Sequence, residues 1–236
     1  MTNPPGYNER LFNKGFRSKI HFARFSWLRK MVGNVSQKQP LRVIELGCFD
    51  GRSINWLPWE PSLFDGFDAN WEGGLDIGRK RFAGNQNIRF HQCSNPAEMI
   101  PAAEGYDIGI SLETMEHIPP ETVEGYLDVF ASSVKTAVFI SVPNEIGIPF
   151  LSKYLAKRLI YRDSKDEPYS LAEVWDETFG QTQKVHRNEH KGFDYRFFVE
   201  QVRKKFIIQG VMGVPFSWLL PGLSFTVGII AAPKRG

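Results

Sequence analysis

Glu113, Glu116 and His117 stand within one short run, Ser-Leu-Glu-Thr-Met-Glu-His over residues 111–117. In a helical turn, positions i, i+3 and i+4 share a face. Two carboxylates and an imidazole so placed make a partial site for a hard or borderline divalent cation such as magnesium. His117 alone suits general-base work, because imidazole titrates near neutrality. The structural alternative is that His117 buttresses the loop before Pro119-Pro120.

A second constellation begins at residue 45, Glu45-Leu-Gly47-Cys48-Phe49-Asp50-Gly51, directly after the β-branched run Leu-Arg-Val-Ile. Glycines after the first strand of an open α/β sheet let the backbone approach a ligand. The spacing is E-x-G-x-x-x-G and lacks the G-x-G-x-x-G of dinucleotide binders. An acid inside a strand is costly unless paired, so Glu45 is expected to hydrogen-bond at the strand tip. Asp68 lies 21 residues beyond Gly47 at the end of a second short strand, the distance at which acids take ribose hydroxyls. Cys48 reads as a small packed residue rather than a nucleophile.

The elements that must hold these groups follow from periodicity. Apolar residues at helical spacing over 8–36, interleaved with Arg and Lys, predict one or two amphipathic helices. Strands are expected at 41–47, 62–69, 87–92, 106–112 and 136–143, and helices at 52–60, 72–82 and 120–134. That alternation calls for a mostly parallel sheet covered on both faces. Residues 146–190 break the rhythm with a helix-like Ile-Pro-Phe-Leu-Ser-Lys-Tyr-Leu-Ala-Lys-Arg-Leu-Ile-Tyr and an acidic loop, read as a cap over the acceptor site. A last helix over 191–206 and two uncharged strands close the sheet as an antiparallel hairpin. The resulting organisation is a helical arm at 1–40, a core at 41–145, a cap at 146–190 and the closing elements at 191–236.

At these residues the chain resembles the class I S-adenosylmethionine-dependent methyltransferases, over 41–143 and the closing hairpin. Glu-Leu-Gly-Cys-Phe-Asp-Gly, the acid of Gly-Phe-Asp-Ala, Ser-Leu-Glu-Thr-Met-Glu-His-Ile-Pro and Ser-Val-Pro-Asn carry the likeness. The resemblance implies a Rossmann-like, seven-stranded sheet with S-adenosylmethionine at its carboxyl edge. Gly47 and Gly51, with Cys48 and Asp50 in the same turn, would line its methionine and ribose portion. Glu45 would meet the amino group, and Asp68, with Ala69 beside it, the ribose. Asn95 would stand by the adenine amine, and Ser111, Leu112 and Glu113 would form the floor below the sulfonium. Phe49 departs from the family by replacing its middle glycine. The E-x-x-E-H pattern also resembles metal-dependent O-methyltransferases, among them ubiquinone-pathway and small-RNA 3′-terminal 2′-O-methyltransferases. In the RNA group a further histidine follows, in a context resembling His190-Lys-Gly-Phe-Asp-Tyr-Arg196. His190 would then join Glu113, Glu116 and His117 around the metal, and spacing does not separate it from His186.

Composition bounds the alternatives. The chain has 236 residues with 42% hydrophobic and 14% aromatic content, enough for a large core and inconsistent with wholesale disorder. Its net charge of +3 hides nine Lys/Arg against one acid in residues 1–42 and sixteen acids against six basic residues in 43–150. Such a layout suits a cationic cofactor and an anionic small-molecule acceptor. Two cysteines make no disulfide framework, and the expected compartment is the reducing cytoplasm. Residues 206–233 carry no charge, but glycines and prolines divide them into strands rather than a membrane span. Three functions compete: O-methylation of a small metabolite, with an amine as the lesser choice; methylation of an RNA end; and a non-catalytic cofactor-binding or interaction module. Basic and aromatic residues alternate in the arm as in single-strand nucleic-acid binders, though a helix packed on the sheet explains them better. Oligomeric state is not legible.

Overall fold

The computed structural model describes residues 16–35, 40–160, 169–188 and 190–234. Seven strands form one sheet in the order β3-β2-β1-β4-β5-β7-β6. They are β1 (Leu41–Leu46), β2 (Pro61–Asp68), β3 (Ile88–Gln92), β4 (Tyr106–Leu112), β5 (Val134–Pro143), β6 (Phe206–Val214) and β7 (Thr226–Pro233). β1 to β5 pair in parallel, and β7 runs antiparallel to both β5 and β6. The expected parallel core and closing hairpin are both present.

Among the described residues six helices accompany the sheet: α1 (Phe16–Val35), α2 (Gly74–Arg81), α3 (Pro120–Ser133), α4 (Gly147–Ile160), α5 (Leu171–Thr178) and α6 (Tyr195–Lys205). Strand residues alternate between two buried layers, as a two-sided sheet requires. Ile44, Leu46, Val138, Ile140 and Val142 meet Tyr126, Leu127 and Phe130 of α3 and Val199 and Val202 of α6. Val43, Ile108, Ile110 and Phe139 meet Phe25, Leu28 and Val32 of α1. The described part of the basic arm is therefore a core helix, with Phe25 and Trp27 buried against the sheet and Arg29 and Lys30 turned to solvent. Trp27 needs the bare backbone of Gly228 on β7, where a Cβ would come within 2.5 Å of its ring. The part of the expected arm before residue 16, and the acidic stretch 163–167 in the cap, lie outside the described residues.

Two expectations change. Residues 52–60 give only a short 3-10 turn, Arg52–Trp56, because Pro58 and Pro61 deny a longer helix its backbone donors. The cap, read as a helix and a loop, holds a second helix, α5. Ser170 and Glu173 make a reciprocal capping box at its start, a pattern visible in Ser-Leu-Ala-Glu. Among the described residues no helix is long and apolar enough to cross a membrane.

Candidate active site

The acids and histidines gather beyond the carboxyl ends of β1, β2 and β4, where parallel α/β sheets bind ligands. At the tip of β1, Gly47 adopts φ +78°, and a Cβ there would lie 2.0 Å from Thr114 Oγ1 after β4. Only glycine fits this close approach. Glu45 is buried and accepts a 2.5 Å hydrogen bond from Ser53 Oγ. Burial, with smaller contributions from Asp68 and Asp50, pushes its pKa up to about 8 against the Ser53 hydrogen bond and the charge of Arg24. Asp68 accepts from the backbone N–H of Phe49 at 3.0 Å and of Asn70 at 2.7 Å, and burial raises its pKa.

Phe49 keeps the turn that a glycine would make. Its φ is +47°, in the left-handed region, at a cost of about 1–2 kcal/mol for a residue with a Cβ. The ring is accepted by Gly74 at the start of α2, where a Cβ would lie 2.3 Å from it. The Arg52 guanidinium stands 5.1 Å from the ring centre.

The other expected cofactor residues have these surroundings. Asp50 is buried between Arg52, at 2.8 Å, and Arg81, at 2.9 Å, and is better described as a clamp of the turn onto α2. Asn95 caps the turn Pro96–Glu98 by accepting from Ala97 N, and its amide donates to Glu98 at 2.6 Å. Cys48 is buried with its sulfur against Gly66, and burial raises its pKa well above the ordinary thiol value, as a packed residue requires. Ala69 follows Asp68 at the strand end and is half-buried. Ser111 and Leu112 are buried at the end of β4, the Ser111 hydroxyl without a hydrogen-bond partner among the described residues.

The histidine cluster forms, with three of its four expected members. Glu116, His117 and His190 each offer a ligand atom, all within 4.8 Å of one another. The two imidazoles meet edge to face, centroids 4.5 Å apart, while His186 is exposed and apart from them. Glu113 is outside this group. It has φ +52°, and the segment after it is a single 3-10 turn, Met115–His117, stopped by Pro119. The helical spacing assumed for Glu113 is therefore absent.

Neither carboxylate oxygen of Glu116 has a hydrogen-bond partner among the described residues; nor does Glu113 Oε1 or His190 Nδ1. Burial raises Glu116 well above the usual carboxylate range, and Glu113 adds to it. Burial, then the neighbouring His117 and the cations Lys153, Arg187 and Lys157, lower His190 to about 3 and hold it neutral. The His190 loop is secured from two sides. Glu177 of α5 accepts the Gly192 N–H at 2.7 Å, and Arg187 donates to the Glu116 carbonyl at 2.7 Å. Arg24 on α1, in sequence only one cation of the arm, lowers Glu45, Glu113 and Glu116 alike. A depression of about 290 Å³ bordered by Ile54, Trp59, Phe82 and Ile88 lies beside the starts of β2 and β3, at the opposite edge.

No family model matches the sequence, and no curated protein does. Solved structures do. A protein of Pyrococcus horikoshii aligns at TM-score 0.65 with 14% identity, over 98% of this chain and 100% of its own. An S-adenosylmethionine-dependent methyltransferase of Clostridium acetobutylicum aligns at 0.63 with 10% identity, over 97% and 99%. The chain has the class I methyltransferase fold. The methyltransferase domain of bacterial CtHen1 also aligns, at 0.56 with 13% identity, over 90% of this chain and 99% of that domain. Glu45, Asp68 and Glu113 stand at the carboxyl edge of the parallel strands, and the three-residue cluster lies beside it.

Proposed function

We propose that the chain transfers the methyl group of S-adenosylmethionine to a hydroxyl of a small-molecule acceptor, with a divalent cation held by Glu116, His117 and His190. The observation that carries this reading is the buried Glu116 carboxylate, without a hydrogen bond among the described residues and with His117 Nε2 3.9 Å from its Oε1 and His190 close by. A buried acid left so is costly, and an oxygen with two nitrogens suits a borderline divalent ion. When bound, such a cation lowers the pKa of an acceptor hydroxyl and orients it.

The remaining work falls to the chain's own groups. Glu45 answers a cationic amino group, Asp68 has lone pairs left for ribose hydroxyls, and Gly47 and Gly51 shape the turn between them. Methyl transfer is an in-line displacement governed by alignment and exclusion of water. Glu113, its pKa raised chiefly by burial, is suited to take the hydroxyl proton at Oε1. His190 holds the neutral form that ligation needs.

A second reading, methylation of an RNA 3′-terminal ribose hydroxyl, is supported by the likeness to the CtHen1 domain. RNA binding would weaken steeply with salt, whereas a small acceptor would respond little.

The test is a thermal-shift titration of metal-stripped protein with S-adenosylhomocysteine, using a nicotinamide dinucleotide as control. A ligand at about 100 times its Kd stabilises by about 2.7 kcal/mol, so a saturable shift with the first compound alone is expected. No shift would sink the cofactor reading and favour the non-catalytic module. Manganese should give a second shift that Glu116→Ala removes; an equal shift in the variant would sink the metal site and leave His117 as the base.

A further inference from the structure

We propose that the loop 215–225 and helix α4 form a docking surface for an anionic lipid bilayer. The proposal goes beyond methyl transfer and is tested without cofactor or acceptor. β6 is parallel to β5, since both run antiparallel to β7. The loop leaving Val214 therefore emerges on the carboxyl edge that carries Glu113 and the histidines. Its far end reaches Thr226, which pairs with Pro143 at the carboxyl end of β5.

This loop exposes apolar side chains that the strands beside it bury. Phe216, Trp218, Leu220, Leu223 and Phe225 are between 44% and 79% exposed, in a stretch with no charged residue from Phe206 to Pro233. The exposure is built in. Asn144 Nδ2 donates to the carbonyls of Pro221 at 3.2 Å and Ser224 at 2.9 Å, and its N–H donates to that of Phe225 at 2.9 Å. Gly213 lets the loop fold back, since a Cβ there would lie 1.9 Å from Ser224 Oγ. A fixed apolar patch at a ligand edge marks an interaction surface, and tryptophan favours the water–lipid boundary.

Helix α4 extends the patch and supplies the charge that selects its partner. The Cβ position of Gly147 lies 3.9 Å from the Gly222 carbonyl, so the helix starts against the loop. Ile148, Leu155 and Leu159 stand at i, i+7 and i+11 on one stripe, 69%, 48% and 81% exposed. No acid occurs in Gly147–Ile160, and Arg158 in its last turn, three residues beyond Leu155, is exposed beside the stripe. Apolar residues beside cations, without acids, complement an anionic membrane surface. A protein seated this way turns its ligand edge to the bilayer.

Flotation of the full chain with phosphatidylcholine vesicles, with and without phosphatidylglycerol, tests this. The protein should float with the anionic vesicles, and less so as salt rises. Trp218→Ala should weaken partition at least about tenfold, and Arg158→Gln about fivefold on anionic vesicles only. Melting curves matching the wild type confirm that the variants fold. Absence of flotation, or variants that float like the wild type, overturns the proposal. A Trp218-dependent dimer in sedimentation without vesicle binding would assign the patch to a second copy of the chain.

Discussion

Glu45→Gln should raise the pH-dependent part of stability while removing cofactor binding. Glu45 is 2% exposed, and burial above all raises its pKa from 4.5 to about 8. An acid whose folded pKa lies above its unfolded value contributes most below the unfolded value. That contribution is lost as pH rises toward the folded one. One pKa unit corresponds to about 1.4 kcal/mol, so the wild type should lose about 2–3 kcal/mol from this group between pH 5 and pH 7. The glutamine variant does not titrate and keeps that energy. Its amide still accepts from Ser53, but its NH2 brings a buried donor without an evident acceptor, an offset of about 1–3 kcal/mol that does not vary with pH. The informative quantity is therefore the slope. Denaturant unfolding from pH 5 to pH 8 should show variant-minus-wild-type stability climbing with pH and levelling above the pKa of about 8. Affinity for S-adenosylhomocysteine should fall at least about tenfold in the variant, because a charge-assisted hydrogen bond is lost. In the wild type it should rise from pH 6 to pH 8 as the carboxylate ionises. A stability difference flat in pH would mean that Glu45 is already ionised in the free protein, refuting the burial argument.

Two further perturbations probe the glycine turn. Gly47→Ala meets Thr114 Oγ1 at 2.0 Å in a backbone with φ +78°, and should cost more than about 2 kcal/mol in denaturant unfolding. Adding Thr114→Ala removes the Oγ1 and Cγ2 overlaps but keeps the Thr114 Cβ at 2.7 Å, so it should recover only part of the loss, whereas a fully stable single variant would contradict the geometry. Gly74→Ala drives a methyl to within 2.3 Å of the Phe49 ring. It should couple to Phe49→Ala by more than about 1 kcal/mol in a double-mutant cycle, and additive costs would refute the pairing.

The sheet was legible because strand and helix periods are local. β-branched runs, glycine ends and the apolar stripe of α3 fixed the five parallel strands, and an uncharged tail announced the closing pair. Glu45, Gly47 and Asp68 were legible for a related reason: a strand ending in a glycine turn has one place to present its acids. The capping box of α5 is also written in the chain, as Ser170 and Glu173, but it follows an acidic stretch whose composition signals a loop.

Side-chain destinations depended on contacts remote in sequence. Whether Glu113 joined Glu116 turned on a left-handed φ and a 3-10 turn of three residues. His190 rather than His186 reached the cluster because Glu177 and Arg187 secure its loop from α5 and from the Glu116 carbonyl. Asp50 and Asn95 were committed to Arg52, Arg81 and a local cap, and Arg24 gained its influence on three acids from the packing of α1. The sequence by itself determined which strands form and which chemical groups stand at their ends, since hydrophobic period and turn chemistry act over a few residues. The tertiary structure decided which of those groups meet, because burial and electrostatic coupling arise only when distant segments close on one another.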